Sequence, residues 1–327
     1  MDETTTVKKK TVSYSQFSIY TKCPRKWKLD YIDKLRTYED NINTLFGTSF
    51  HNTLQNYLKV MYEDSVKAAN GIDLAEYLKN DMHQTYKQSL AKNGGTHFTT
   101  PQQMAEFYMD GVAILHYIQK HRSIFFSSKQ HSLVGIEVPL SVDLLYNIEF
   151  NGFIDLIIKD ERDGKIKIWD IKTSTSGWNK HQKKDISKTA QLILYKEFYA
   201  KQFGVDPEMI DVEYFIVRRK INEDAEFVPK RVQTFSPASG KPTRNKVGKM
   251  LLEFIQNCFT EDGQYNVNGQ YPAVQTSQCV YCPYNKPGVC DKKDRLKKSN
   301  GWLSWHINQT NTDLRPKTST LSHEGIG

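Results

Sequence analysis

Ile166-Lys-Ile-Trp-Asp-Ile-Lys172 is the stretch that decides the fold, read together with residues 151–158 just before it. Side chains alternate along a β-strand, so Ile166, Ile168, Asp170 and Lys172 share one face while Lys167, Trp169 and Ile171 share the other. An apolar face that ends in a carboxylate and an ammonium is unusual for a buried strand. Burying those charges is costly unless they pair or hold a metal. The preceding stretch predicts a similar strand, with Phe153, Asp155 and Ile157 on one face and Gly152 allowing close backbone approach. Asp163-Gly164 is a good turn dipeptide, so the two strands are expected to pair as a hairpin across residues 160–164. Asp155 and Asp170 then converge beside Lys172. Two carboxylates and a lysine with no thiolate near suit a hard cation, Mg²⁺ or Mn²⁺.

Further strands are expected at residues 133–140, 211–219 and 226–235, with helices at 186–203 and 243–259. Gln191 and Tyr195 share one face of the first of these helices. Glu137 lies among Val134, Ile136, Val138 and Leu140, and reads either as an edge carboxylate or as a further acidic member of the site. Residues 173–188 are polar and basic and read as a loop. Lys180, Lys183 and Lys184 suit phosphate contacts there, and Trp178 suits base stacking.

Upstream of the strands the pattern is helical. Residues 1–12 are expected to form a flexible arm, after which Ser13 caps a helix with Gln16 placed for a capping box. Pro24 opens a second helical segment over 25–33, carrying Trp27 and Tyr31. Phe50, Leu54, Leu58 and Met61 recur at helical spacing within 45–62, with Gly47 and His51 at the edge of that stripe. Two more helical patterns cover 72–90 and 101–121. The order predicts a mixed α/β core behind an N-terminal helical part.

Cys279-Val-Tyr-Cys282, seven intervening residues and Cys290 place three thiols in one short stretch, with Cys23 the leading candidate for a fourth ligand. Spacing alone leaves tetrahedral zinc and an iron–sulfur cluster both open. Cys258 falls on the face of Phe254 and Leu251 and reads as a core thiol. The balance of 45 Lys+Arg against 37 Asp+Glu gives a net charge of +8, which favours a polyanionic partner. No apolar run approaches a membrane span, no secretion signal is visible, and no Gly-x-x-x-x-Gly-Lys-[Ser/Thr] loop is present. The expectation is a cytoplasmic protein, in a bacterial cell or a virus-infected host cell, without an ATP site.

These motifs together resemble the PD-(D/E)XK nuclease superfamily, in its RecB-like branch with iron–sulfur members such as AddB-type and CRISPR-adaptation nucleases. The opening Ser13-Tyr-Ser-Gln-Phe-Ser-Ile-Tyr-Thr-Lys-Cys-Pro-Arg-Lys-Trp27 looks like the branch's N-terminal motif, including its first cluster cysteine. Gly47-Thr-Ser-Phe-His51 is similar to its Gly-x-x-x-His, Gly152-Phe-Ile-Asp155 to its Gly-x-x-Asp, and Asp170-Ile-Lys172 to its Asp/Glu-x-Lys. Gln191-Leu-Ile-Leu-Tyr195 is similar to its Gln-x-x-x-Tyr helix. The resemblance covers residues 13–293. It implies a restriction-endonuclease-like α/β fold, a central mixed sheet flanked by helices, with an N-terminal helical part and a C-terminal Cys-cluster segment. It implies His51, Asp155, Asp170 and the Ile171 carbonyl as Mg²⁺ or Mn²⁺ ligands, Lys172 as the catalytic lysine, and Gln191 and Tyr195 on DNA. Cys23, Cys279, Cys282 and Cys290 would clasp the chain ends around a [4Fe–4S] cluster, with structural Zn²⁺ as the alternative.

The expected divisions are an arm (1–12), a helical part (13–132), the nuclease core (133–260), the Cys-cluster segment (261–293) and a polar, flexible tail (294–327). The expected activity is a DNA exonuclease in recombination, replication or genome processing, with a separate helicase or recombination protein as a candidate partner. A non-catalytic DNA-binding scaffold and a restriction-type endonuclease are the alternatives.

Overall fold

A computed structural model describes residues 9–36 and 40–297. The chain enters as a strand, Lys10–Val12 (β1), which pairs in parallel with residues 148–150 and buries Val12. The expectation of an arm over 1–12 is thereby corrected for its last three residues. Thr11 and Val12 are β-branched and meet an open sheet edge. Residues 1–8 lie outside the described residues.

Ser13 caps helix α1, Tyr14–Lys22, by accepting from the Gln16 amide. The Gln16 side chain donates to the Thr11 carbonyl instead, so the reciprocal half of the capping box is not made. Cys23 is extended, and Pro24 opens α2, Pro24–Tyr31, at a position where a missing N–H costs nothing. An Asn41–Thr44 capping box starts the long α3, Ile42–Glu63. A short α4, Val66–Asn70, which the sequence did not suggest, precedes α5, Leu74–Lys92, and α6, Pro101–Phe125.

The strands follow: β2, His131–Asp143; β3, Ile148–Asp160; and β4, Ile166–Ser174. β3 and β4 form the expected antiparallel hairpin across the Asp160–Gly164 turn. The expected loop over 173–188 is broken by helix α7, Lys180–Lys184, which Asn179 caps by accepting from two backbone amides. Asp185 then caps α8, Ile186–Phe203. β5, Ile210–Arg218, lies parallel to β4, and β6 is only Val232–Phe235, so the strand expected over 226–235 is shorter than its pattern. Helix α9, Lys241–Cys258, leads to β7, Val274–Gln275, which pairs with β8, Leu296–Lys297. Residues 296–297, expected in the polar tail, are thereby corrected to a paired strand. Residues 298–327, with Trp302 and Trp305, lie outside the described residues.

The mixed sheet runs β1-β3-β4-β5-β6, with β2 on the other edge of β3. Helices cover both faces. Ile154, Ile157, Ile168, Val212 and Tyr214 pack with α1, α2, α8 and α9 in one core. Leu156, Ile158, Trp169, Ile171 and Phe215 pack with α3, α5 and α6 in the other. Trp27, fully buried, holds the first core together by contacting Tyr20, Tyr31, Phe254, Phe259 and Tyr271. This is a restriction-endonuclease-like α/β architecture. Among the described residues, no helix is long and apolar enough to cross a membrane.

Candidate active site

The alternation expected in β4 is present: Ile166 and Ile168 enter one core, Trp169 and Ile171 the other. β3 departs from its expected alternation. Ile154 and Ile157 share a core while Leu156 faces the opposite one, so Phe153, Asp155 and Ile157 do not share a face. The cause is local. The β3–β4 ladder ends at the Leu156–Trp169 pair, and the Ile171 amide donates to Asp155 Oδ2 at 2.6 Å in place of a backbone carbonyl. The two central strands part at the point where the charged residues begin.

Across the other edge of β3, Glu137 falls between the Ile136–Leu156 and Val138–Ile154 pairs, opposite Asp155. Its φ is 50°, a left-handed conformation that costs a residue with a side chain about 1–3 kcal/mol and clusters at functional sites. Gln55, buried on α3 one turn beyond His51, donates to Glu137 Oε1 at 2.6 Å and to the Asp155 carbonyl at 3.0 Å. His51 comes from the same helix face, with Nδ1 3.8 Å from Asp155 Oδ2. The ligand atoms of His51, Glu137 and Asp155 all lie within 4.8 Å of one another. Sequence reasoning missed Gln55, although its position four residues after His51 on one helical face was a usable signal.

Asp170 stands beside this trio. It is 1% exposed, and Lys172 Nζ donates to Oδ1 at 3.0 Å and approaches Oδ2 at 2.8 Å. Oδ2 nevertheless has no hydrogen bond. Burial pushes both the Asp155 and the Asp170 carboxyl up to about 6, against the pull of Lys172. Burial acts to lower Lys172, but the Asp170 and Asp155 charges overcome it and raise the ammonium further. Burial and Lys172 together lower His51, which favours the neutral imidazole, the form that ligates metals. An imidazole and two carboxylates converging beside the buried Asp170 carboxylate fit a cation such as Mg²⁺ or Mn²⁺.

From the opposite face, Gln191 donates to the Tyr195 hydroxyl at 3.1 Å, and Tyr195 packs where a Cβ on Gly152 would stand. Burial raises Tyr195, and Asp170, Asp155 and Glu137 add to the shift, which places the ring beside the carboxylates. Tyr14, also unnoticed in the sequence, donates to the Ser187 carbonyl at 2.6 Å and is raised by burial and then by Asp170.

Other predicted residues sit apart from these. Lys180 and Lys184 are exposed on α7, while Lys183 lies over the Phe235 ring at 5.3 Å. Trp178 does not stand free for base stacking. Its ring packs on Tyr214 at 4.8 Å, with Lys188 Nζ 5.3 Å from the ring centre. Cys23, Cys279, Cys282 and Cys290 all line one cavity of about 470 Å³, together with Lys26 and Arg295. No three of their sulfurs lie within 4.8 Å of one another. Cys258 is fully buried in the first core, as its helix position suggested.

Residues 11–291 match the model of the PD-(D/E)XK nuclease superfamily. The chain belongs to that superfamily. A nuclease of this fold is implied to act on DNA, and members use divalent metals. Among solved structures, a candidate exonuclease from Eubacterium rectale is similar at 10% identity and a TM-score of 0.42, over 74% of this chain and 77% of that one. A second, SSO0001, is similar at 14% identity and a TM-score of 0.29, over 82% of this chain and 96% of that one. At such distances neither likeness bears on the nuclease's substrate or mechanism. No curated protein matches it in sequence.

Proposed function

We propose that this nuclease is a Mg²⁺- or Mn²⁺-dependent DNA exonuclease of the RecB-like branch. The observation that carries the reading is the convergence of His51, Glu137 and Asp155 within 4.8 Å beside the Asp170–Lys172 ion pair, in the gap between two parted strands. His51, Asp155, Asp170 and the Ile171 carbonyl would hold the cation, with Glu137 as a further ligand, and the ion would supply polarisation of the phosphodiester and acidification of the attacking water. Lys172 orients the attacking water and stabilises charge growing on the phosphate oxygens, a task suited to a fixed ammonium. Gln191 and Tyr195 hold the scissile strand, and Lys180 and Lys184, with Lys183 behind them, contact phosphates.

The four cysteines form a structural [4Fe–4S] site that ties α2 to the C-terminal segment. The four thiols lining one cavity support an inorganic group there, with structural Zn²⁺ as the alternative. The same reading gives the helical part, core and Cys-cluster segment as working divisions. It places the enzyme in the cytoplasm, in recombination, repair or replication, beside a separate helicase.

A cleavage time course on end-labelled linear DNA and a closed circle of the same sequence, with Mg²⁺ or Mn²⁺, tests the exonuclease. Loss of the linear DNA alone is expected. Cutting of the circle would make it an endonuclease.

A further inference from the structure

Phe153 is an exposed aromatic in the interior of the central strand β3, 59% accessible, with buried Ile154 and glycine at 152 on either side. Its cross-strand partner is Pro139, itself exposed. The pair is one step along the ladder from Glu137 and Asp155, about 6.8 Å at the rise of an antiparallel strand. α8 covers the other face here, since a Cβ on Gly152 would meet Tyr195. Phe153 therefore faces the side from which α3 delivers His51 and Gln55, beyond the edge of that helix's cover.

We propose that Phe153, backed by Pro139, is the stacking platform for the terminal nucleobase of the strand being cleaved. The inference rests on the nuclease reading and deepens it. Every base has a π-face, so an exposed ring beside the reacting carboxylates grips a strand without regard to sequence. Trp178 cannot serve, because its ring is packed on Tyr214. The same face of the ladder continues past Phe153 to half-buried Asn151 and Glu149 and exposed Ser141 and Asp143, with Asp143 paired to Lys9 at 2.7 Å. Further phosphates would meet Glu149, whose charge repels them. The platform thus holds one base and marks a strand end, as an exonuclease requires.

The test uses the full chain carrying Lys172→Ala, so that DNA stays intact, and single-stranded oligonucleotides with 2-aminopurine at successive positions from each end. Quenching is expected at one terminal position. Phe153→Ala should abolish it and weaken binding about five- to 150-fold, and Phe153→Trp should restore both. In the cleaving chain, Phe153→Ala should raise KM by a similar factor while kcat falls less. Its melting temperature should match wild type, since the ring is exposed. Unchanged quenching and unchanged KM in Phe153→Ala would overturn the platform. A wild-type chain that cleaves no DNA would instead overturn the nuclease reading beneath it.

Discussion

Asp155 and Asp170 are the site carboxyls that burial displaces above the ordinary carboxylate range. Burial raises both carboxyls to about 6, so between their unfolded value of about 3.9 and 6 the folded chain holds more protons than the unfolded one. The stability they contribute is full at acid pH and is lost as pH rises through about 6. A cation binds their ionised forms, and its stabilisation follows the opposite course. The rise in melting temperature on adding Mn²⁺ is therefore expected to be large at about pH 7.5 and small at about pH 5; equal rises would contradict the carboxylate site. Gly152→Ala makes a second residue-scale prediction. Its Cβ would stand 3.2 Å from Tyr195 Cε1 and from Phe150 Cε1. Overpacking of this kind costs about 1–3 kcal/mol, so melting should fall and cleavage should weaken as Tyr195 shifts. Asp155, Asp170 and Lys172 were legible because charges interrupting apolar patterns are costly and seldom accidental, whereas His51 stood out only through its likeness to the Gly-x-x-x-His motif. Gln55 and the left-handed Glu137 were less so, since a bulged register has no periodicity of its own.

At the scale of elements, the longer helices and the hairpin followed their apolar spacing. β1, α4 and β8 did not, for each is five residues or fewer, too short to show a period; β1 and β8 are set by the strands they pair with and α4 by the adjacent α3. The basic segment looked like a loop because its cap, Asn179, lies among polar residues that hide a helix start. Trp178 looked like a DNA contact because nothing local foretold Tyr214 beneath it. Trp27 ties α2 to α9 through Phe254 and Phe259. Trp27→Ala should cost about 3–5 kcal/mol, read by denaturant unfolding. Cys279→Ser should give a colourless protein of lower melting temperature; unchanged colour and melting would remove the four-cysteine site.

The whole molecule is a sheet clad on both faces, with its charged site where the central strands part. Its +8 charge supports association with a polyanion but is not itself a site. Lys180→Ala and Lys184→Ala should each lower the salt slope of DNA binding by about 1, and weaken binding alike across sequences. Unchanged slopes would move the DNA path away from α7. The most direct measurement compares wild type and Lys172→Ala on linear DNA with Mg²⁺ or Mn²⁺, with DNA binding read on the same samples. The predicted result is cleavage by wild type, a loss of at least about 10²-fold in the variant, and binding retained by both. Cleavage by Lys172→Ala at the wild-type rate would place the active site elsewhere in the molecule.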